Sequence, residues 1–313
     1  MRLSMGELWY SSAPTLEPKT AKSVIHPFVV RGYNGLTINP YQGCQHRCAY
    51  CYATYEWSPE FYDRIYAKSN ADRILEKELA AWKRGEIEPV MVCSATDPYQ
   101  PAEIRYGLTR KCILVLQKYG VPYYVFTKSS IIDRDLQLHG NYRHNCFIVW
   151  SITTCSEKTR RVIEPGTAPA SKIFQTIKKF SDVGVCCGVN IDPIIPLITE
   201  SEIPDIVNCC RQAGVSNVFG SVLRLRTDIW DRMKMAFSAL GLDVEEQYRK
   251  IYSIKEPLDA KYVSASKDYQ EKIASELKSA IQQADMEFGF PKHISTKEID
   301  KSVNGQISLL SYV

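Results

Sequence analysis

Short runs of apolar, β-branched or aromatic residues alternate along the chain with longer stretches whose apolar positions recur every three to four residues. The short runs fall at residues 36–39, 90–95, 123–127, 147–153, 185–192 and 217–225, and each predicts a strand. Helical stretches lie between them. Asn70 precedes Ile74, Leu75, Leu79 and Trp82 on one face, with Gly85 as the stop. Thr109 opens a second helix ended by Gly120, Ser171 a third ended by Gly184, and Ser201 a fourth ended by Gly214. This alternation predicts βα units and a parallel sheet. The number of units suits an open, partial barrel better than a closed eight-unit one. Residues 1–30 read as an extended lead-in, 31–226 as the barrel, and 227–313 as a helical extension packed on it. In that extension Tyr269, Ile273, Leu277 and Ile281 share one face.

Composition narrows the class. The chain has 313 residues, 45% hydrophobic and 24% charged, which excludes collagen, coiled coil and intrinsic disorder. The longest apolar run, near residues 183–191, is too short to span a bilayer. The first ten residues lack a basic start and an apolar stretch, so a cytoplasmic protein without membrane contact is expected. Net charge is only +4, but residues 104–180 hold 13 Lys/Arg against 4 Asp/Glu. That bias suggests an anionic ligand near the middle of the chain, with Arg134, Arg143, Arg160 and Arg161 as candidate phosphate contacts.

Eleven cysteines, odd in number and irregularly spaced, argue against a disulfide scaffold. Cys112, Cys146, Cys186, Cys187, Cys209 and Cys210 sit in apolar surroundings and read as small buried hydrophobes. Cys44, Cys48 and Cys51 do not. They form a C-x3-C-x2-C pattern on a loop just after the first barrel strand. Soft thiolates at this spacing suit zinc or an iron–sulfur cluster. Structural zinc sites want four ligands, usually as two paired knuckles. There is no second C-x2-C, and His46 would be a cramped fourth ligand. Three thiolates on one loop can instead hold three irons of a [4Fe–4S] cubane, leaving the fourth iron open.

Further motifs follow in order. They are Ser94-Ala-Thr-Asp97-Pro-Tyr-Gln-Pro-Ala-Glu103, Thr127-Lys128-Ser129, Arg134-Asp135, Ser151-Ile-Thr-Thr154, Glu164-Pro165 and Asp192-Pro193-Ile-Ile-Pro196. With the cysteines, this series resembles the radical S-adenosylmethionine (SAM) superfamily, and within it the spore photoproduct lyase-like group, over roughly residues 35–226. The resemblance implies a partial (βα)6 barrel whose strand ends build the active site. It implies a [4Fe–4S] cluster on Cys44, Cys48 and Cys51, with SAM on the open iron. An electron from a flavodoxin- or ferredoxin-like donor would cleave SAM to a 5′-deoxyadenosyl radical, which abstracts a hydrogen from substrate. Tyr50 would pack by the adenine, Lys128 would pair with the SAM carboxylate, and Ser151 would bond the ribose or carboxylate. Thr96, Asn190 and Asp192 are further candidates for binding SAM. The family label and the basic middle favour DNA or RNA as substrate, for repair or modification. A peptide, protein or small metabolite, or a non-catalytic iron–sulfur binding protein, are the alternatives.

One departure bears on the reaction. Spore photoproduct lyase carries a Cys-Thr-Ser-Asp string at the second strand, and its Cys returns a hydrogen atom to the product radical. Aligned on Asp97, that position is Ser94, and Cys93 falls one residue earlier. A one-residue offset on a strand turns a side chain to the other face unless a bulge re-aims it. Cys93 is therefore the candidate catalytic thiol only if the backbone turns there. Tyr52, Tyr55, Trp57, Phe61, Tyr62 and Tyr66, clustered after the cysteines, are expected either to stack bases or to roof the cluster.

Overall fold

Among the described residues, eight strands form one sheet in the order Glu287–Phe288, Asn217–Val222, Cys186–Ile194, Cys146–Ser151, Tyr123–Thr127, Val90–Val92, Tyr33–Ile38, Ile25–Val30. The computed structural model describes residues 13–30, 33–54, 60–83, 87–254, 258 and 262–291. Strands β3 (Tyr33–Ile38), β6 (Val90–Val92), β7 (Tyr123–Thr127), β8 (Cys146–Ser151), β9 (Cys186–Ile194) and β10 (Asn217–Val222) run parallel. These are the six strands that the apolar runs predict. The sheet stays open: β2 (Ile25–Val30) pairs antiparallel at one edge and β11 (Glu287–Phe288) parallel at the other. A small second sheet of β1 (Thr15–Lys19), β5 (Arg64–Lys68) and β4 (Tyr41–Gln42) flanks the cysteine loop.

The helices are α1 (Ala71–Ala80), α2 (Ala102–Tyr106), α3 (Leu108–Lys118), α4 (Leu136–Gly140), α5 (Glu157–Ile163), α6 (Ala170–Asp182), α7 (Ile203–Ala213), α8 (Thr227–Leu240), α9 (Glu245–Tyr252) and α10 (Lys267–Gln283). Strand alternation sorts the core into two faces. Val90, Val92, Tyr123, Val125, Ile148, Trp150, Val189 and Ile191 pack under the helices. Met91, Tyr124, Phe147, Val149 and Phe219 fall in clusters on the other face. There Phe290 lies 5.0–6.1 Å, centroid to centroid, from Tyr124, Phe126, Phe147 and Phe219. Gly188 makes room for this aromatic layer: a Cβ on it would lie 2.5 Å from the Phe147 ring.

The helix starts differ from expectation: Ser171 lies inside α6, which begins after Pro169, Ser201 lies in a turn before α7, and the other two starts are capped differently. Asn70 does not cap α1; its amide bonds the backbone N–H and C=O of Ala21, tying the lead-in to the barrel. The first amides of α3 are capped instead by Glu103, which accepts from Thr109 N and Arg110 N, while the Thr109 hydroxyl donates to Pro98 O. The C-terminal region is not wholly helical, because β11 adds a parallel strand to the sheet. Ile273, Leu277 and Ile281 of α10 join the main core, whereas α8 and α9 pack with Cys48, Ala49 and Tyr50 in a second one. Gly85, residues 1–12 and residues 292–313 lie outside the described residues.

Candidate active site

The cysteine loop leaves β4 through Gly43, whose φ of +84° and close approach to Arg64 O (2.6 Å from a Cβ placed there) exclude a side chain. Neighbouring segments then fix the loop by its backbone. Cys44 N donates to Phe61 O (3.1 Å), Gln45 N to Gln100 Oε1 (3.1 Å) and Gln100 Nε2 to Gly43 O (3.0 Å). Ala49 N donates to Ile163 O (2.8 Å), Gly166 N to His46 O (3.0 Å) and the Tyr62 hydroxyl to Cys48 O (2.6 Å). The series running from Asp97 to Glu103 and the Glu164-Pro165 turn thus act as the loop's scaffold.

Cys44, Cys48 and Cys51 all line one open cleft of about 1110 Å³, its solvent-open mouth included, at the carboxyl ends of the strands. Burial pushes all three thiols above the ordinary range, so without a metal they are protonated. Among the described residues, no three His, Cys, Asp or Glu side chains converge on a single ion position. A cubane presents its irons at separate corners, so its thiolates need not converge. Three soft sulfur donors on one wall fit that ligand chemistry.

Thr96 follows β6, Lys128 follows β7, Ser151 ends β8 and Asp192 lies in β9; all four line the same cleft, as does Tyr50. Thr96 Oγ1 is buried without a well-formed hydrogen bond, beside the Cys93 thiol. Asp192 accepts from the Ser221 hydroxyl (2.7 Å). Asn190 is fully buried and not on the cleft wall; its Nδ2 lies 3.5 Å from Asp192 Oδ2. Cys93 has φ +65°, a left-handed turn just after β6; the residue borders the cleft beside Ser94 but is buried and packs in the main core with Val90 and Val92.

Lys128 is already engaged. Its Nζ donates to Glu164 Oε1 (2.9 Å), Thr153 Oγ1 (3.2 Å) and Ser151 O (3.4 Å), and stands 5.4 Å from the Tyr50 ring centroid. Burial alone would lower this ammonium, but the Glu164 carboxylate overrides it and holds it above the usual lysine range. Glu164 is buried too, yet Lys128 and the Tyr50 hydroxyl keep it below the usual carboxylate range. An ammonium has three donors, so Lys128 reaches a cofactor only by giving up one of these bonds. Asp97 ties three segments together: it accepts from Thr127 Oγ1 (2.8 Å), Lys128 N (2.7 Å) and Tyr99 N (2.8 Å), and faces His46 Nδ1 at 3.4 Å. Burial holds that imidazole below its usual range, against the pull of Asp97.

The basic middle is largely paired. Arg134 bridges Glu103 and Asp135, buried Arg160 binds Glu157 and the carbonyls of Glu164 and Thr167, and Arg161 pairs with Glu157. Lys118, Lys178 and Lys179 also face carboxylates. Arg134 and Arg160 thus carry internal bonds, whereas Arg161 and Arg143 are exposed. Of the aromatics, Phe61 is buried under the cysteine loop and Tyr62 is bonded to it, while Tyr55 and Trp57 lie outside the described residues.

Sequence reasoning missed the side chains from β10 onward. Ser221, Leu223, Arg224 and Tyr262 line the cleft, and the strand-end rule applied to β10 would have found the first of them. No helix among the described residues is long and apolar enough to cross a membrane.

The comparisons agree with this geometry. Residues 38–210 match the family model of the Radical SAM superfamily. An uncharacterized protein of Mycobacterium tuberculosis is 29% identical over 231 residues, spanning 69% of this chain and 66% of that protein. One from Acidianus two-tailed virus is 26% identical over 245 residues, 70% of this chain and 78% of that protein. Among solved structures, spore photoproduct lyase complexed with dinucleoside spore photoproduct shares the fold. Its TM-score is 0.68 at 16% identity, over 87% of this chain and 80% of that one. Streptococcus suis SuiB bound to the precursor peptide SuiA gives 0.53 at 15% identity, over 80% and 47%. The matched family segment covers more than half of the chain and contains all three loop cysteines, and the chain belongs to the radical SAM superfamily.

Proposed function

We propose that the protein is a radical SAM enzyme whose Cys44, Cys48 and Cys51 hold a [4Fe–4S] cluster. When bound, the cluster supplies the electron that cleaves SAM reductively to methionine and a 5′-deoxyadenosyl radical, which takes hydrogen from the substrate. One observation carries the reading: the three loop thiols share a cleft wall with Thr96, Lys128, Ser151 and Asp192 at the ends of four successive parallel strands. The chain's own residues bind and orient. Thr96 Oγ1, beside the Cys93 thiol, offers a hydroxyl to SAM. Asp192 and Ser151 offer polar groups across the cleft. Lys128 and Glu164 hold Tyr50 and Thr153 in place. Cys93 borders the same cleft, and its thiol is the candidate to return a hydrogen atom to a product radical. A flavodoxin- or ferredoxin-like protein is the proposed electron donor.

For the substrate, the first reading is DNA or RNA, supported by the likeness in sequence motifs to the spore photoproduct lyase-like group. A peptide or small metabolite is the second. It is favoured by the internal pairing of Arg134 and Arg160, which leaves less free positive surface than the sequence promises. Anaerobic reconstitution tests the site. The expected result is about four irons per chain and a reduced-cluster spectrum that shifts with SAM, both lost in the Cys44→Ala/Cys48→Ala/Cys51→Ala variant. One tightly held zinc per chain, or a full cluster in the triple variant, would overturn the assignment.

A further inference from the structure

Two arginines and an aspartate from α8 and the turn before it grip the backbone of the cysteine loop, some 180 residues away in sequence. Arg232 spreads its guanidinium over the loop's last turn. Its Nε donates to Ala49 O (2.8 Å), Nη2 to Cys51 O (2.8 Å) and Nη1 to Thr54 Oγ1 (3.1 Å). Arg226 Nη2 donates to Tyr52 O (3.2 Å). Asp228 sits between the two cations: its Oδ1 lies 2.7 Å from Arg226 Nε, and its Oδ2 lies 3.2 Å from Arg232 Nη2 and accepts from the Thr54 hydroxyl (3.0 Å). Three carbonyls in the motif's second half, those of Ala49, Cys51 and Tyr52, are thus held by two guanidinium groups. The Arg226 side chain is 3% exposed and the Arg232 side chain 16%, so solvent screens neither strongly.

Resting on the reading that Cys51 ligates a cluster, we propose that Arg232 is a positioning residue that holds the Cys48–Cys51 turn and, with Arg226, sets the cluster's reduction potential through a net positive charge behind Cys51. Two effects are separable. The forked donors restrain the turn that carries the Cys51 thiol, because the peptide units of Ala49 and Cys51 cannot rotate without breaking charge-assisted bonds. The charge acts on the electron. Two guanidiniums against one Asp228 carboxylate leave one positive charge, and a reduced cluster, carrying one more negative charge than the oxidised one, is favoured beside it.

The test compares anaerobically reconstituted full-length wild type, Arg232→Lys, Arg232→Gln and Arg232→Met, with far-UV circular dichroism and thermal midpoint to confirm folding. Iron retained per chain after gel filtration reads the positioning; an EPR-monitored dithionite titration reads the midpoint potential. Arg232→Gln removes the charge and cannot span the three acceptors, so it is expected to shift the midpoint to more negative potential and to lose iron faster than wild type. Arg232→Lys should keep the midpoint near wild type and lose iron several-fold faster, because one ammonium cannot reach three oxygens in a fixed fork. Arg232→Met should show both defects. A folded Arg232→Gln with an unchanged midpoint overturns the electrostatic half, and a folded Arg232→Met with wild-type iron retention overturns the positioning half. Failure of the wild type itself to bind a cluster would instead overturn the functional reading.

Discussion

Lys128→Met isolates the buried ion pair at the end of β7. The pair is short (2.9 Å), and its side chains are 14% and 5% exposed, so neither charge has much water to fall back on. Removing one partner of such a pair leaves the other charge uncompensated, at a cost of about 3–5 kcal/mol. For a domain stable by about 5–15 kcal/mol, that is a large share. The pH dependence gives the sign. Glu164 is held below its ordinary value of 4.5, so its pairing stabilises the fold above that pH and the benefit is lost as pH falls through the lower folded value. In Lys128→Met the buried carboxyl rises above 4.5 instead, so the deficit is full at neutral pH and shrinks in acid. The assay is urea unfolding of the apoprotein at pH 7 and pH 4, with Glu164→Gln and the double variant completing the cycle. The double variant should be closer to wild type than either single one. A Lys128→Met deficit under about 1 kcal/mol, or one independent of pH, would refute the pairing as drawn.

Other outcomes follow from the same geometry. Gly188→Ala drives a methyl into the Phe147 ring and should destabilise by about 1–3 kcal/mol in chemical denaturation, without altering the iron content of reconstituted protein. Cys93→Ala should leave iron content and substrate-free 5′-deoxyadenosine formation at wild-type level, and a loss of either would place Cys93 in the cluster's support rather than beside the substrate. If the substrate is a nucleic acid, log affinity should fall with log salt by about 0.7–0.9 per phosphate contact, and charge reversal at exposed Lys158 and Lys172 should reduce that slope; an unchanged slope would favour the peptide or metabolite reading.

The six parallel strands and the cysteine loop were legible because their signals are contiguous: runs of β-branched residues, and three thiols within eight positions. What lay hidden is long-range. Nothing near Arg232 in sequence says that its guanidinium closes on Ala49 and Cys51, and nothing near Glu164 names Lys128 as its partner. Local rules also competed. Asn70 has the residue type and place of a helix cap, but its amide is better used by the two backbone groups of Ala21. The charge excess of residues 104–180 was read as a surface, yet partners such as Glu76 and Glu103 stand outside that window and absorb part of it. Cys93 was the instructive case. Alternation gives it the face of Met91, which lines the cleft, but the left-handed backbone just after β6 breaks the alternation, and Cys93 borders the cleft while packing in the main core with Val90 and Val92.

The most direct measurement is product analysis of reconstituted protein incubated anaerobically with SAM and dithionite. The account predicts 5′-deoxyadenosine and methionine in equal amounts, dependent on Cys44, Cys48 and Cys51 together and stimulated by the true substrate. Protein carrying a full complement of about four irons that binds SAM yet releases no 5′-deoxyadenosine would contradict it.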